Sequence, residues 1–290
     1  MINIKIKEVA EVLNGLCTGK VDFDGYICGV SIDSRKVLKN SLFVPIKGAT
    51  VNGHSYVDDA IKNGVAATLW NMDETDPPAD IAVILVDDTV KALQDLAFYY
   101  RNSLNVKIVG ITGSNGKTST KDITAGILSQ KYKTQKTMGN YNTEIGVPYT
   151  LLSLDEDCEA AVIEMGMEKG GEIDFLTRLV QPDVGIITSV GLVHIDNFTS
   201  IDEIAREKLD IVNGIKDGGL FVHFGDDTLI EKTVKKAEIR DSIRRQTFGE
   251  NKGNSLYLTE FRENLEGITF RVSDERFEEL HADMLGRHQA

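Results

Sequence analysis

The chain contains 290 residues, of which 41% are hydrophobic and 27% are charged, and its formal net charge is −13. This length suits two domains better than one core, and the composition is ordinary for a soluble globular protein. The acidic balance repels nucleic acid and excludes a general nucleic-acid binder, although local lysines and arginines can still hold an anionic small molecule.

The sequence pattern contains no membrane span and no export signal. The longest apolar runs, such as Ile81–Val86, are short and indicate buried strands. Met1–Leu13 mixes polar with apolar residues and lacks a signal-peptide core, so we predict a cytoplasmic protein. Three scattered cysteines, Cys17, Cys28 and Cys158, indicate reduced thiols rather than a disulfide framework or a metal site.

The first hundred residues alternate short apolar runs with helical patterns. The hydrophobic periodicity predicts strands and helices in alternation. In chain order they are a strand at Ser41–Ile46, a helix at Tyr56–Asn63, strands at Ala67–Trp70 and Ile81–Val86, and a helix at Thr89–Arg101. Asn102–Asn105 then forms a short polar connection. We therefore predict a first domain at residues 1–103 and a second at residues 104–290.

The second domain shows strong strand–helix alternation from Val106 onward. This pattern is typical of an α/β fold with a mostly parallel sheet. The predicted strands are Val106–Thr112, Ala160–Met165, Val184–Val190 and Gly219–Phe224, and the predicted helices are Lys117–Gln130, Ile173–Val180 and Ile201–Val212. Beyond about Gln246, the runs Ser255–Glu260 and Gly267–Val272 indicate antiparallel strands.

A glycine-rich turn between a strand and a helix, at Val109–Thr118, is the most informative stretch of the sequence. Backbone N–H groups in such a turn point at an anion, and the helix N-terminus adds the positive end of its dipole. Lys117 can reach the β- and γ-phosphates of a nucleotide, and the Thr118 hydroxyl can ligate Mg²⁺. The usual Walker A pattern has glycine where this chain has Ile111. The alternative is a plain strand-to-helix turn that contains a lysine by chance.

This variant, Thr112–Ser119, resembles the phosphate loop of the Mur ligases and folylpolyglutamate synthases, which form amide bonds with ATP. Further segments follow in the order found in that family, and the first domain resembles the Mur ligase region that holds a uridine-diphosphate sugar. These segments are Gly139–Pro148, Glu164–Met167, Pro182–Thr188, His194, Ala205–Lys208, Asp33–Arg35, Leu42–Val44, Lys47–Gly48 and Asn52–His54.

The resemblance implies an ATP-dependent ligase that works through an acyl phosphate. Lys136–Asn142 and Glu164–Gly166 are most similar to the family member that adds D-alanyl-D-alanine to UDP-N-acetylmuramoyl-tripeptide in peptidoglycan synthesis. A sibling ligase that adds another amino acid is the alternative within the family. The segment Asp33–Arg35 argues against a folylpolyglutamate synthase, because the sugar-nucleotide domain is not part of its usual plan. We find no guanine-reading Asn-Lys-x-Asp sequence of a switch GTPase.

The resemblance also assigns roles to individual residues. It implies that the catalytic residues are Lys117, Lys208 and His194. Magnesium, in two ions, is expected to be held by Thr118, Glu164, His194 and Lys208, the last as a lysine carbamylated by CO₂. ATP is expected to contact Gly113, Ser114, Asn115, Gly116, Lys117, Thr118, Ser119 and Asn140. The sugar-nucleotide substrate is expected to contact Ser34, Arg35, Lys47, His54, Asn142 and Thr143.

Each of these roles has a plainer alternative. Glu164 follows a buried strand and can be a carboxylate solvated at the strand end. Lone histidines such as His194 are more often structural, and helical lysines such as Lys208 are usually solvated. Arg35 can be one half of a surface ion pair. The loop with Asn140 can owe its composition to turn geometry alone.

Two departures from the family pattern bear on function. The family often places an asparagine two residues before an Asp-Asp pair near ATP, and this chain has Phe224 before Asp226 and Asp227. Leu285–Ala290 resembles the segment that precedes the third domain of the family, so we expect that domain to be absent here. A non-catalytic nucleotide- or sugar-nucleotide-binding module is therefore an alternative to the enzyme. We expect a monomer.

Overall fold

The computed structural model describes residues 1–19, 21, 23–192 and 195–284. These residues form two compact units. The first comprises Met1–Ile108 and Lys121–Met165, and the second comprises Val109–Thr120 and the described residues from Gly166 on. The mixed α/β architecture predicted from the sequence is confirmed. The predicted domains at residues 1–103 and 104–290 stay a prediction, since the two units are defined by packing alone.

The helices and strands are as follows. The α-helices are α1 Ile6–Leu13, α2 Val57–Lys62, α3 Thr89–Ser103, α4 Lys117–Leu128, α5 Gly146–Leu152, α6 Glu172–Val180, α7 Ile201–Leu209, α8 Ile211–Gly214 and α9 Thr228–Lys236. The strands are β1 Asn3–Lys5, β2 Leu16–Thr18, β3 Tyr26–Cys28, β4 Val30–Ser31, β5 Leu42–Phe43, β6 Ala67–Asn71, β7 Ala82–Val86, β8 Lys107–Thr112, β9 Thr134–Lys136, β10 Ala160–Glu164, β11 Val184–Ile187, β12 Leu220–Phe224, β13 Arg244–Gly249, β14 Leu256–Asn264, β15 Gly267–Val272 and β16 Leu280–Ala282.

The first unit contains a five-stranded sheet in the order β2-β7-β6-β5-β4. Its strands β4 to β7 pair in parallel and β2 pairs antiparallel with β7. The strand β7 is wholly apolar, β6 includes Thr68 and Asn71, and both strands are almost entirely buried, which is typical of a parallel sheet covered on both faces. In the same unit β9 and β10 pair in parallel. Glu164 is the last residue of β10 and therefore lies at the carboxyl end of that strand.

The helices of the first unit follow local sequence signals. Asp88 caps α3 by accepting hydrogen bonds from Val90 N and Lys91 N, so the helix begins where the sequence predicts. The apolar residues Leu93 and Leu96 of α3 are fully buried. The prediction missed α1, although its buried residues Ile6, Val9 and Ala10 have the i, i+3, i+4 spacing of a helical face.

The second unit contains seven strands in the order β8-β11-β12-β13-β14-β15-β16. The pairs from β8 to β13 are parallel, with Ile187 opposite Thr112, as the strand–helix alternation predicts. The antiparallel pairing of β14 with β15 is confirmed. The expectation of antiparallel strands from about Gln246 was wrong for β13, which pairs in parallel with β12. The helix α9 lies between β12 and β13 in the chain and supplies the crossover connection that a parallel pair of strands requires.

The predicted single helix at Ile201–Val212 is two helices, α7 and α8, that meet at Asp210. Asn213 N donates to Asp210 O, three residues earlier, so the backbone tightens there instead of continuing the α-helical pattern. Thr177 Oγ1 also donates to Ile211 O, and this bond ties the short α8 to α6. Within the described part of the chain, no helix has the length and apolar composition to cross a membrane.

Candidate nucleotide and ligase site

The predicted phosphate loop connects β8 to α4 in the second unit. Gly113 has a φ of +151° and Gly116 a φ of +81°, which side chains rarely adopt. A Cβ atom at Gly113 would lie 2.0 Å from Thr188 Oγ1. Both glycines are therefore required by backbone conformation, and Gly113 is also required by close packing. This conformation is the kind of backbone turn that forms a phosphate cradle.

The loop backbone is bonded to the segment that follows β11. Ser114 N donates to Ser189 O at 2.8 Å, and Asn115 N donates to Ser189 Oγ at 3.0 Å. These two N–H groups donate to Ser189, whereas the amides of such a turn are generally expected to face a bound anion. The positive end of the α4 dipole and the ammonium of Lys117 are the features of the loop that attract a phosphate. The contacts predicted for Ser114 and Asn115 with ATP stay a prediction.

Lys117 lies at the start of α4 and is half-buried. Its Nζ atom donates to Gly113 O at 2.8 Å, so the ammonium lies over the loop. Thr118 and Ser119 are exposed in the same first turn of the helix. An ammonium and a helix N-terminus both stabilise negative charge, so these residues fit the polyphosphate of a nucleotide.

Substituting Gly113 by alanine is expected to raise the dissociation constant for ADP-Mg²⁺ about 100-fold, because the strained backbone and the clash with Thr188 together distort the loop. The matched control is Gly126→Ala in α4, where a Cβ meets nothing within 4 Å and binding should be unchanged. Isothermal titration calorimetry measures both. Equal affinity of the Gly113→Ala variant and the wild-type chain would contradict the packing argument.

Lys208 lies near the end of α7 and is only 4% exposed. Burial, followed by the charge of Lys117, lowers its pKa to about 7. The solvated lysine expected from helical position alone is therefore wrong for Lys208. A buried amine with this pKa is partly neutral at physiological pH, and only a neutral amine reacts with CO₂.

The helix that carries Lys208 is held at both ends. Ser200 caps α7 and accepts a hydrogen bond from Glu203 N. Glu207 Oε2 accepts a hydrogen bond from Gly171 N at 2.6 Å and thereby ties α7 to the loop before α6. These contacts hold the helix on which buried Lys208 lies.

Glu164 ends β10 in the first unit and is 2% exposed. Its Oε1 atom accepts a hydrogen bond from Asn142 Nδ2 at 2.8 Å, and its backbone N donates to Thr137 Oγ1 at 3.0 Å. Lys121 Nζ lies 3.8 Å from Oε2, and both side chains are 3% exposed. Glu164 is thus a buried, paired carboxylate, and the alternative of a carboxylate solvated at a strand end was wrong.

Sequence reasoning missed Lys121. The residue lies on the buried face of α4 together with Ala125, one helical turn later. A lysine at an apolar position of a helical pattern is a signal for a buried charge with a partner, because an unpaired buried ammonium is costly. The carboxylates of Asp122, at 3.6 Å, and of buried Glu164, at 3.8 Å, are its partners.

The predicted magnesium ligands belong to both units. Thr118 and Lys208 lie in the second unit and Glu164 in the first. His194 lies outside the described residues. Over residues 1–19, 21, 23–192 and 195–284, no group of three or more His, Cys, Asp or Glu side chains is placed to hold a metal ion. The predicted magnesium ligands would not form such a group, because two of them are the Thr118 hydroxyl and a carbamylated Lys208. That set of ligands stays a prediction.

Two predicted substrate residues of the first domain, Arg35 and Lys47, are ion-paired at the surface. Arg35 is 84% exposed and forms a bidentate pair with Asp33, whose pKa it lowers to about 2 through side-chain hydrogen bonds. Lys47 Nζ lies 2.7 Å from Glu74 Oε1. The surface ion pair that was the alternative for Arg35 is therefore present. Both cations remain accessible to an anionic ligand.

His54 is buried, at 4% exposed. Its Nδ1 atom lies 2.8 Å from Asn52 Oδ1, and its Nε2 atom accepts a hydrogen bond from Asn71 N at 3.2 Å. The ring also contacts Trp70 edge to face at 4.7 Å. The structure therefore places His54 among supporting residues rather than on an open surface. The neighbouring candidate Ser34 is also buried, at 7% exposed.

The loop at residues 137–145 contains the other predicted contacts. Asn140 and Thr143 are exposed, whereas Asn142 is half-buried and bonded to Glu164. Thr143 Oγ1 accepts a hydrogen bond from Gly146 N at the start of α5. The loop therefore combines two kinds of contact. Thr143 stabilises the turn into α5, and the side chain of Asn142 contacts the Glu164 carboxylate.

The Asp-Asp pair after β12 has structural partners. Asp226 accepts hydrogen bonds from Asn251 Nδ2 at 2.8 Å and from Asn254 Nδ2 at 2.7 Å, and it orders the turn before β14. Asp227 caps α9 through Leu229 N at 2.8 Å. Phe224, which replaces the asparagine of the family pattern, packs against Phe248 at 5.6 Å.

Comparison with known proteins assigns the family. The model of the Mur ligase middle domain matches residues 111–290, and that of the Mur ligase family catalytic domain matches residues 26–101. The chain belongs to the Mur ligase family, which confirms the resemblance inferred from its motifs.

Within that family the chain is similar to curated proteins named UDP-N-acetylmuramoyl-tripeptide–D-alanyl-D-alanine ligase. The protein of Bacillus subtilis (strain 168) is 40% identical over 94% of this chain and 58% of its own length. The protein of Escherichia coli (strain K12) is 34% identical over 78% of this chain and 49% of its own length. The chain thus spans about half to three fifths of the length of these relatives.

Solved structures agree with this placement. A structure of MurF from Acinetobacter baumannii has a TM-score of 0.89 at 27% identity and covers 100% of this chain, which covers 62% of that chain. The MurF ligase of Thermotoga maritima in complex with ADP has a TM-score of 0.78 at 27% identity and covers 90% of this chain, which covers 60% of that chain.

Proposed function

We propose that this chain supplies the sugar-nucleotide and ATP-binding parts of a ligase that adds D-alanyl-D-alanine to UDP-N-acetylmuramoyl-tripeptide, a cytoplasmic step of peptidoglycan precursor synthesis. The observation that carries the proposal lies in the second unit, where Lys117 lies over a phosphate loop and Lys208 is only 4% exposed. Burial, and then the charge of Lys117, lowers the pKa of Lys208 to about 7. The names of the Bacillus subtilis and Escherichia coli relatives support the substrate assignment.

The reaction activates a carboxylate for attack by an amine. A carboxylate oxygen of the tripeptide attacks the γ-phosphorus of ATP, the bond to the β,γ-bridging oxygen breaks, and ADP leaves. The amine of D-alanyl-D-alanine then attacks the acyl carbon, phosphate leaves, and the amine nitrogen loses a proton. The work of the protein is to position these groups and to neutralise charge.

The chain holds cations and donors suited to that work. The first turn of α4 and the ammonium of Lys117 stabilise the phosphate oxygens, with Gly113, Gly116 and Ser119 shaping the loop around them. The proposed magnesium ligands are Thr118, Glu164, His194 and carbamylated Lys208, and two bound Mg²⁺ ions would add further positive charge beside the phosphates.

Carbamylation of Lys208 follows from the same burial. Its neutral amine attacks the carbon of CO₂ and loses a proton, and the product is a carbamate anion. With ¹³C-labelled bicarbonate, we expect a carbamate carbon resonance in the wild-type chain that is absent from the Lys208→Met variant. A spectrum of the wild-type chain without this resonance would contradict the modification.

The first domain is proposed to hold the sugar-nucleotide. Arg35 and Lys47 lie at the surface and supply positive charge for the diphosphate, and Ser34 lies beside Arg35. Asn142 and Thr143 are proposed to contact the tripeptide end, and Asn140 the γ-phosphate. His54 is proposed to act through the residues that it holds, because both of its ring nitrogens have partners within the chain.

Phosphate release by the intact protein tests the proposal. We expect release of phosphate from ATP only when UDP-N-acetylmuramoyl-tripeptide and D-alanyl-D-alanine are both present. Release with a single amino acid in place of the dipeptide would favour a sibling ligase. Nucleotide binding without release under any of these conditions would favour a binding module and overturn the proposed ligase.

A further inference from the structure

The residues that follow β11, Thr188–Gly191, lie against the phosphate loop. We name them the backing segment. Thr188 N donates to Thr112 O at 3.0 Å, and this bond extends the pairing of β11 with β8 up to the loop. The position of the backing segment is therefore set by the sheet.

The backing segment binds the loop through backbone and side chain together. Ser189 Oγ accepts from Asn115 N and donates to Asn115 O, both at 3.0 Å, and Ser189 O accepts from Ser114 N at 2.8 Å. Ser114 Oγ accepts from Gly191 N at 2.8 Å. The peptide groups on either side of Asn115 are thereby bonded to Ser189.

Thr188 fills the space beneath the loop. Its Oγ1 atom lies 2.6 Å from Asn115 O, to which it donates, and it would lie 2.0 Å from a Cβ atom at Gly113. The same hydroxyl is 3.3 Å from Thr112 O. A methyl group in its place would fill the volume but donate to neither carbonyl.

We propose that Thr188 and Ser189 are positioning residues that hold the phosphate loop in its nucleotide-binding conformation before nucleotide arrives. This inference rests on the proposed binding of ATP. A loop that is already ordered loses less conformational freedom when it binds its ligand, so affinity rises without a new contact. The ligand that benefits is the polyphosphate of a nucleotide, since the loop leads directly into the N-terminus of α4, where the helix dipole attracts negative charge.

Hydrogen exchange and nucleotide titration test the two parts of the inference separately. The variants are Thr188→Val, Thr188→Ser and Ser189→Ala, and the matched control is Thr233→Val in α9, whose hydroxyl donates to Leu229 O. Without nucleotide, Ser189→Ala should speed exchange of the Asn115 amide about tenfold, because its acceptor is removed.

Calorimetry with ADP-Mg²⁺ should then show an affinity about tenfold weaker for Thr188→Val, the effect of one lost hydrogen bond. Thr188→Ser should recover most of that affinity, and Thr233→Val should bind as the wild-type chain does. Unchanged exchange at Asn115 in Ser189→Ala, or equal affinities of Thr188→Val and the control, would overturn the inference while ADP-Mg²⁺ binding by the wild-type chain stands. A wild-type chain that binds no ADP-Mg²⁺ would instead overturn the proposed function and, with it, the positioning role.

Discussion

Replacing Lys208 by methionine is expected to raise the free energy of unfolding by about 4 kcal/mol at pH 7, because the buried ammonium opposes folding. The pKa of Lys208 is lowered from 10.5 to about 7 by burial and by Lys117. Between these two pH values the unfolded chain binds more protons than the folded chain, so stability of the wild type rises with pH. The opposing effect is complete below pH 7 and vanishes above about pH 10.5.

Urea unfolding in CO₂-free buffer measures this effect, since carbamylation would remove the ammonium. The difference between variant and wild type should fall from about 5 kcal/mol at pH 6 to about 1 kcal/mol at pH 10. An exposed lysine at the end of α9, Lys236, provides the control, and Lys236→Met should change stability by less than about 0.5 kcal/mol. A difference for Lys208→Met that stays constant with pH would contradict a buried charge. The same variant should abolish phosphate release by the intact protein if Lys208 is catalytic.

Replacing Lys121 by methionine is expected to lower the free energy of unfolding by about 3 kcal/mol. The carboxylate of Glu164 is 3% exposed and would lose the ammonium that lies 3.8 Å away. The double variant Lys121→Met/Glu164→Gln removes both charges and should recover most of the stability. A double-mutant cycle by urea unfolding measures this coupling.

A surface pair in the same unit is the control for that cycle. Lys62 lies 3.4 Å from Asp59 and is 75% exposed, so Lys62→Met should lower stability by less than about 1 kcal/mol. If the double variant is as unstable as Lys121→Met alone, the loss comes from packing of the lysine chain and not from an unpaired carboxylate. Activity gives an independent readout, because the double variant should regain stability without regaining phosphate release.

Most of the strand–helix alternation could be predicted, because apolar periodicity and glycine turns are local signals. Asp88 marked the start of α3 and the glycine turn marked the start of α4. The break at Asp210 could not be predicted in this way. Thr177, which is distant in sequence, bonds to Ile211 O just after the break, and no local pattern contains that contact.

The phosphate loop with which the functional reasoning began is readable from residue order alone, because glycines, a lysine and a helix start are neighbours in the chain. Its motifs also identified the family. Three features needed the folded structure: the burial that lowers the pKa of Lys208, the pairing of Lys121 with Glu164, and the bonds from Thr188 and Ser189 to the loop. Each depends on residues that are distant in sequence. Burial and distance arise only when the chain packs, and no local pattern contains them.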